Sequence, residues 1–155
     1  MFKKILCATD GSANAGRALQ VAGTLAADAG TTIDLVHVIE YFPAGRAAGL
    51  TVRVDESEVR ARIEEQVAEA DVTCTIHMPR GAVGNSARQI ADLAEELGSD
   101  IIVIGTRGHS AIAGVLLGSV TQRLLHEASI PVLAVPPIRR SASDAEETHA
   151  AAVTD

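Results

Sequence analysis

The chain has 155 residues, 47% of them hydrophobic, 21% charged and only 2% aromatic, and its formal net charge is −7. That length suits one domain around one core, and with so few rings the core must be built from Ala, Val, Ile and Leu. The absence of Trp and the acidic balance argue against a stacking platform for single-stranded nucleic acid and against attraction to anionic membranes. No apolar run approaches the roughly 18 residues that span a bilayer. The apolar start gives out at Asp10, short of the roughly 7–15 residues of a signal-peptide core, so a cytoplasmic location is expected. Two cysteines, Cys7 and Cys74, make no disulfide framework.

In chain order, Lys4 to Thr9 is a near-continuous apolar run, the pattern of a strand buried on both faces. Asp10-Gly11-Ser12 is turn chemistry, with Ser12 placed as an N-cap. Ala15, Ala18, Leu19, Ala22, Leu25 and Ala26 then follow helical spacing, and Gly30 closes that helix. Thr32 to Val38 reads as the second strand. Residues Tyr41 to Val54 form a linker long enough to be either a surface excursion or a lid over a binding site. Asp55-Glu56-Ser57-Glu58 resembles a capping box, and Val59, Ile63, Val67 and Ala70 mark one face of the helix behind it.

Val72 to Met78 alternates apolar with polar residues, which predicts a strand at a sheet edge. Val83, Ala87, Ile90, Ala91, Ala94 and Leu97 make a third helix, closed by Gly98. A fourth strand, Asp100 to Ile104, runs into the glycine-rich stretch Gly105 to Gly118. Ser119 opens a fourth helix, with Gln122 at the capping-box position and Val120, Leu124 and Ala128 inward. Pro131 to Val135 is a fifth strand. No apolar period survives in residues 138–155, which read as a disordered polar tail behind a domain of residues 1–137.

Alternating strands and helices predict a doubly wound α/β domain, a five-stranded parallel sheet in order 3-2-1-4-5 with helices on both faces. In that order the first and fourth strands are neighbours across the switch point. The turns that follow them, at Asp10 and at Gly105 to Gly108, flank the crevice where open α/β sheets bind ligands. Cys7 and Cys74 fall two strand spacings apart, roughly 9–10 Å, beyond the reach of a disulfide, and read as inert core residues.

The glycine stretch carries the chemistry. Glycine permits positive φ and lets backbone N–H groups come close to a ligand, and a helix start adds unpaired donors and partial positive charge. Together they make a phosphate cradle. Arg107 between two of the glycines could pair with phosphate or stay solvated. Asp10 could bind ligand or simply orient its own turn. His109 could face solvent or donate to phosphate. His37 and His77 have no Cys or acidic residues at metal spacing and read as structural, while His126 sits at a helix C-terminus.

Gly105-Thr106-Arg107-Gly108, nine residues, then Gly118-Ser119 resembles the Gly-x2-Gly-x9-Gly-Ser/Thr pattern of nucleotide-binding universal stress proteins. Lys3-Lys4-Ile5-Leu6, Thr9-Asp10-Gly11-Ser12, His37-Val38-Ile39 and Ser129 to Val135 fit the same family in the same order, so the resemblance covers residues 1 to about 137. It implies an adenine nucleotide alpha hydrolase-like fold and ATP as ligand, with Mg2+ or Mn2+. It also implies a role in stress tolerance and a homodimer paired through strand five, Ile130 to Val135. Asp10 is similar to the acid that meets the ribose or the metal, and Val38 to the residue lining the adenine slot. Ile104 and Gly105 resemble the floor under the nucleoside. Gly108, Gly118, Ser119 and Val120 resemble the phosphate-facing backbone, with Thr121 close by. Ala8 stands at a binding position where relatives carry proline.

There is no Gly-x4-Gly-Lys-Ser/Thr loop, neither lysine lies near the cradle, and no Ser-His-Asp or Cys-His arrangement marks the crevice. No catalytic residue is assigned. A site of this kind holds ATP with at most slow hydrolysis. Two other readings stay open: an ATP-dependent phosphotransferase or nucleotidyl transferase on the same fold, and a nucleotide-free dimerisation module.

Overall fold

The computed structural model describes residues 2–41, 55–108 and 117–138. The linker beyond Tyr41, His109 and the tail beyond Ile138 lie outside the described residues. β1 (Lys4–Ala8), β2 (Thr32–Val36), β4 (Cys74–His77), β6 (Ile101–Gly105) and β7 (Val132–Val135) form a parallel sheet. Its order is β4-β2-β1-β6-β7, which is the expected 3-2-1-4-5 once two short strands are set aside. Those strands, β3 (Ile39–Tyr41) and β5 (Arg80–Ala82), pair with each other in a separate parallel ribbon.

The apolar run of β1 is explained by its central place, because successive residues feed opposite cores. Ile5 and Cys7 pack with Leu35, Ile63 and Val103 beneath α1 (Ala13–Ala29) and α2 (Glu56–Ala70). Leu6 and Ala8 pack with Val36, Ile90, Ile104 and Leu124 beneath α3 (Ser86–Leu97) and α4 (Ser119–Glu127). Ser12 and Asp55 cap α1 and α2 through their side chains, and Gly30 and Gly98 close α1 and α3 in the left-handed region. β4 is an edge strand, in keeping with its alternating sequence.

The structure corrects several details. The second strand stops at Val36, not Val38, because the chain there changes partners: Ile39 N donates to Pro79 O and starts the ribbon. Val83 is 43% exposed and precedes α3, since β5 and the turn at Gly84 take up residues 80–84. Ser119 is the first residue of α4, not its cap. Gly118 holds the cap position and no side chain among the described residues caps that helix, so the expected Ser119–Gln122 box does not form. His77 remains structural but has an acidic partner after all. The register of β2 and β4 brings its Nε2 to 2.6 Å from Asp34 Oδ1, with Lys4 on the other oxygen.

Cys7 and Cys74 are free, with β2 between their strands. Burial, and secondarily Cys74, pushes the Cys7 thiol up to about 12, so it behaves as a small hydrophobe. Among the described residues no helix is long and apolar enough to cross a membrane.

Candidate functional site

A cleft of about 850 Å³ opens at the C-terminal ends of β1 and β6, the place a doubly wound sheet reserves for ligands. The structure brings every expected binding residue to it. Ala8 and Asp10 come from the end of β1, and Val38 from the link between β2 and β3. Ile104, Gly105, Arg107 and Gly108 follow β6, and Gly118, Ser119, Val120 and Thr121 begin α4.

One of the two roles expected of the glycines, positive φ, is not used. None of Gly105, Gly108 and Gly118 has positive φ. What Gly105 and Gly108 contribute is the missing side chain. A Cβ on Gly108 would lie 2.2 Å from Asp10 Oδ2, and one on Gly105 would lie 2.7 Å from Asn14 Nδ2 and 3.1 Å from its carbonyl. The chain after β6 therefore lies directly against the β1 turn and the start of α1. Asn14 Nδ2 fixes that approach by donating to Arg107 O at 2.9 Å. Gly118 differs again: a Cβ there would meet nothing nearer than Thr106 O at 3.5 Å, ordinary contact. Packing within the described chain does not demand glycine at 118.

Asp10 does perform the turn-orienting role, accepting from Ser12 N at 3.0 Å through Oδ1, while Oδ2 is the oxygen beside Gly108. Thr121 is buried, and its hydroxyl donates to Gly105 O at 2.8 Å, tying α4 to the end of β6. Arg107 Nε is buried without a hydrogen-bond partner among the described residues. A guanidinium so placed suits an anionic ligand that accepts from it.

Sequence reasoning missed the opposite wall. Glu40 Oε1 accepts from Gly84 N at 3.2 Å and from Ser86 Oγ, and Arg123 donates to Gly84 O. All four line the cleft. The pairing of β3 with β5 joins them, and no short-range pattern announces it. Thr9 and His37 were also missed as lining residues. His37 Nδ1 lies 3.0 Å from Thr9 O, which holds the end of β1 from the side of β2. Among the described residues no three His, Cys, Asp or Glu side chains gather as a metal cluster. Asp10 is the carboxylate at the end of β1, and one carboxylate with phosphate oxygens and water is a common Mg2+ environment.

The model of the universal stress protein family matches residues 1–136. A universal stress protein of Thermus aquaticus is 35% identical over 140 residues, covering 87% of this chain and 99% of that protein. The solved structure of MJ0577 from Methanocaldococcus jannaschii superposes with a TM-score of 0.70 at 29% identity, over 90% of this chain and 99% of that one. A universal stress protein crystallised in complex with cAMP superposes with a TM-score of 0.63 at 26% identity, over 87% and 97%. With the fold, the strand order and the glycine pattern in agreement, this chain belongs to the universal stress protein family.

Proposed function

We propose that this chain binds ATP in the cleft between the β1 and β6 turns and serves as a nucleotide-dependent switch in the cytoplasmic stress response. The carrying observation is at the start of α4. Its cap is a glycine, no side chain among the described residues caps the helix, and that end lines the cleft. The first turn of a helix presents N–H donors and partial positive charge, which phosphate oxygens satisfy. Arg107 adds a buried donor beside it. The apolar side of the cleft, with Val38 and Ile104, suits a base and sugar. The relative in complex with cAMP makes an adenine nucleotide the natural candidate.

A divalent ion, Mg2+ or Mn2+, fits this reading with Asp10 as its protein ligand, neutralising phosphate charge. No residue is assigned as a base, so the site holds ATP with slow or no hydrolysis. A turnover near 1 s⁻¹ or faster, roughly the bottom of the kinase range, overturns that part. We also place a homodimer contact along Ile130 to Val135. β7 is a sheet edge with Leu133 36% exposed, and unpaired edges favour strand addition. Leu133→Glu then shifts the protein from dimer to monomer on size-exclusion chromatography with light scattering.

The deciding experiment denatures freshly purified protein and identifies the released small molecule, then titrates ATP into the emptied protein. Released ATP, or tight ATP binding that Gly118→Val abolishes, supports the reading. ADP with steady release replaces it with phosphotransfer. No nucleotide and no ATP binding leave only a dimerisation module.

A further inference from the structure

Val59, Val67 and Ala70 of α2 pack against the core while half-buried, and of its 15 residues only Ile63 and Gln66 are fully buried. A buried glutamine needs partners for both ends of its amide, and Gln66 finds them in the turn that carries Asp10. Its Nε2 donates to Ser12 O at 3.0 Å and its Oε1 accepts from Thr9 Oγ1 at 2.6 Å. Because a backbone carbonyl can only accept, the amide nitrogen must face Ser12, which fixes the amide's orientation. The Thr9 hydroxyl spends its proton on Gln66 and accepts from Gly11 N at 3.0 Å with a lone pair. Ser12 N, in turn, donates to Asp10 Oδ1.

Asp10 is thus bracketed by residues 9, 11 and 12, and the hydrogen bonds that fix those residues converge on one side chain of α2. Helix α1 makes room for it at Gly16, where a Cβ would lie 3.2 Å from Gln66 Nε2. Gln66 itself does not line the cleft.

We infer that Gln66 is a positioning residue for the nucleotide site. It holds the β1 turn so that Asp10 faces Gly108, and it makes ligand affinity sensitive to the placement of α2. This rests on the proposed ATP binding. Sites held by a supporting layer of hydrogen bonds lose function when that layer loosens, even with every contacting residue intact.

The test uses the full chain. Gln66→Met keeps length and apolar volume but removes both hydrogen bonds. ATP affinity by isothermal titration calorimetry is expected to fall about fivefold or more, the order of one lost hydrogen bond. Hydrogen exchange at the Gly11 and Ser12 amides of the ligand-free protein is expected to quicken. Ile63→Val trims the neighbouring buried contact of α2 and should lower thermal stability while ATP affinity stays within about twofold. Gln66→Asn keeps an amide but is one methylene too short to reach both Ser12 O and Thr9 Oγ1, and affinity is expected to fall there too.

Affinity in Gln66→Met that falls less than fivefold overturns the inference. So does Ile63→Val weakening ATP as much as Gln66→Met, since that is a plain stability effect. If Gln66→Met does not fold, parent-like affinity in Gln66→Asn overturns the inference. Failure of the parent protein to bind ATP sinks the proposed function instead. Amide exchange then still judges Gln66, and unchanged protection at Gly11 and Ser12 in Gln66→Met rejects its role.

Discussion

In the turn after β1 the backbone is fixed by side-chain hydrogen bonds, from Gln66, Thr9, Asp10 and Ser12. Across the cleft, the chain after β6 reaches its place by leaving side chains out, at Gly105 against Asn14 and at Gly108 against Asp10. The first device holds a carboxylate in a set direction, and the second brings backbone close. The difference also shows in the helices that follow. α1 is capped by Ser12 Oγ, accepting from Ala15 N at 3.3 Å, whereas α4 has Gly118 at its cap position and no side-chain cap among the described residues. One helix start is satisfied from within the chain, and the other lines the cleft in a form suited to a ligand's oxygens.

The sharpest way to break this contrast is to give the glycine side a side chain. In Gly108→Val the Cβ meets Asp10 Oδ2 at 2.2 Å, so backbone or carboxylate must shift. Overpacking of this kind costs about 1–3 kcal/mol of stability. With both turns displaced, ATP affinity is expected to fall on the order of a hundredfold. Adding Asp10→Gly should recover part of the stability but none of the affinity, a coupling that a double-mutant cycle in urea measures. Additive stability losses would show that the two turns do not bear on one another.

How far the chain announces this arrangement differs between the two turns. Ser12 as a cap, the strand ends and the glycine spacing are local patterns, legible because the physics behind them spans a few residues. The five-strand order follows from alternation and the handedness rule. The β3–β5 ribbon was not legible: its strands have three residues each, too short for a period to show, and they pair across about forty residues. Gln66 left a faint signal, a polar residue three positions after Ile63 on an inward helix face, but only the fold shows that it meets Thr9 and Ser12. Of the two roles expected of Gly108, positive φ is not used, and its packing against Asp10 was not legible because that approach exists only in three dimensions.

Removing the cap on the hydrogen-bonded side has a smaller effect. Ser12→Ala deletes the acceptor for Ala15 N, and such losses cost about 1 kcal/mol. Thermal or urea unfolding reads this directly. Ser12 is not part of the glycine stretch, so ATP affinity should change less than in Gly108→Val, and an equal change would erase the distinction between the turns.

The reciprocal change is smaller still and of opposite sign in stability. Gly118→Ser puts a good cap on α4, where the new Cβ meets ordinary contact at 3.5 Å. A gain of about a few tenths of a kcal/mol is expected. The new hydroxyl competes for the N–H donors proposed to meet phosphate, so ATP should bind several-fold more weakly. A more stable protein with undiminished affinity would remove the helix start from the binding site.

The smallest effect lies at the other end of the sheet and serves as the reference for both turns. Asp100 Oδ2 accepts from Lys3 N at 2.6 Å and Lys4 N at 3.0 Å, and those two bonds hold its carboxyl below the ordinary value of 3.8. A carboxylate depressed in the folded state stabilises the protein above its unfolded pKa, and that contribution fades as pH falls through the folded value. Asp100→Asn should therefore lower the unfolding midpoint slightly at neutral pH, with the gap to the parent closing as pH drops below about 4. Because Asp100 precedes β6 at the end remote from the cleft, ATP affinity should be unchanged at pH 7. A loss of affinity comparable to Ser12→Ala would mean that the sheet transmits strain along β6, and that the two turns are not the local devices their hydrogen bonds and glycines describe.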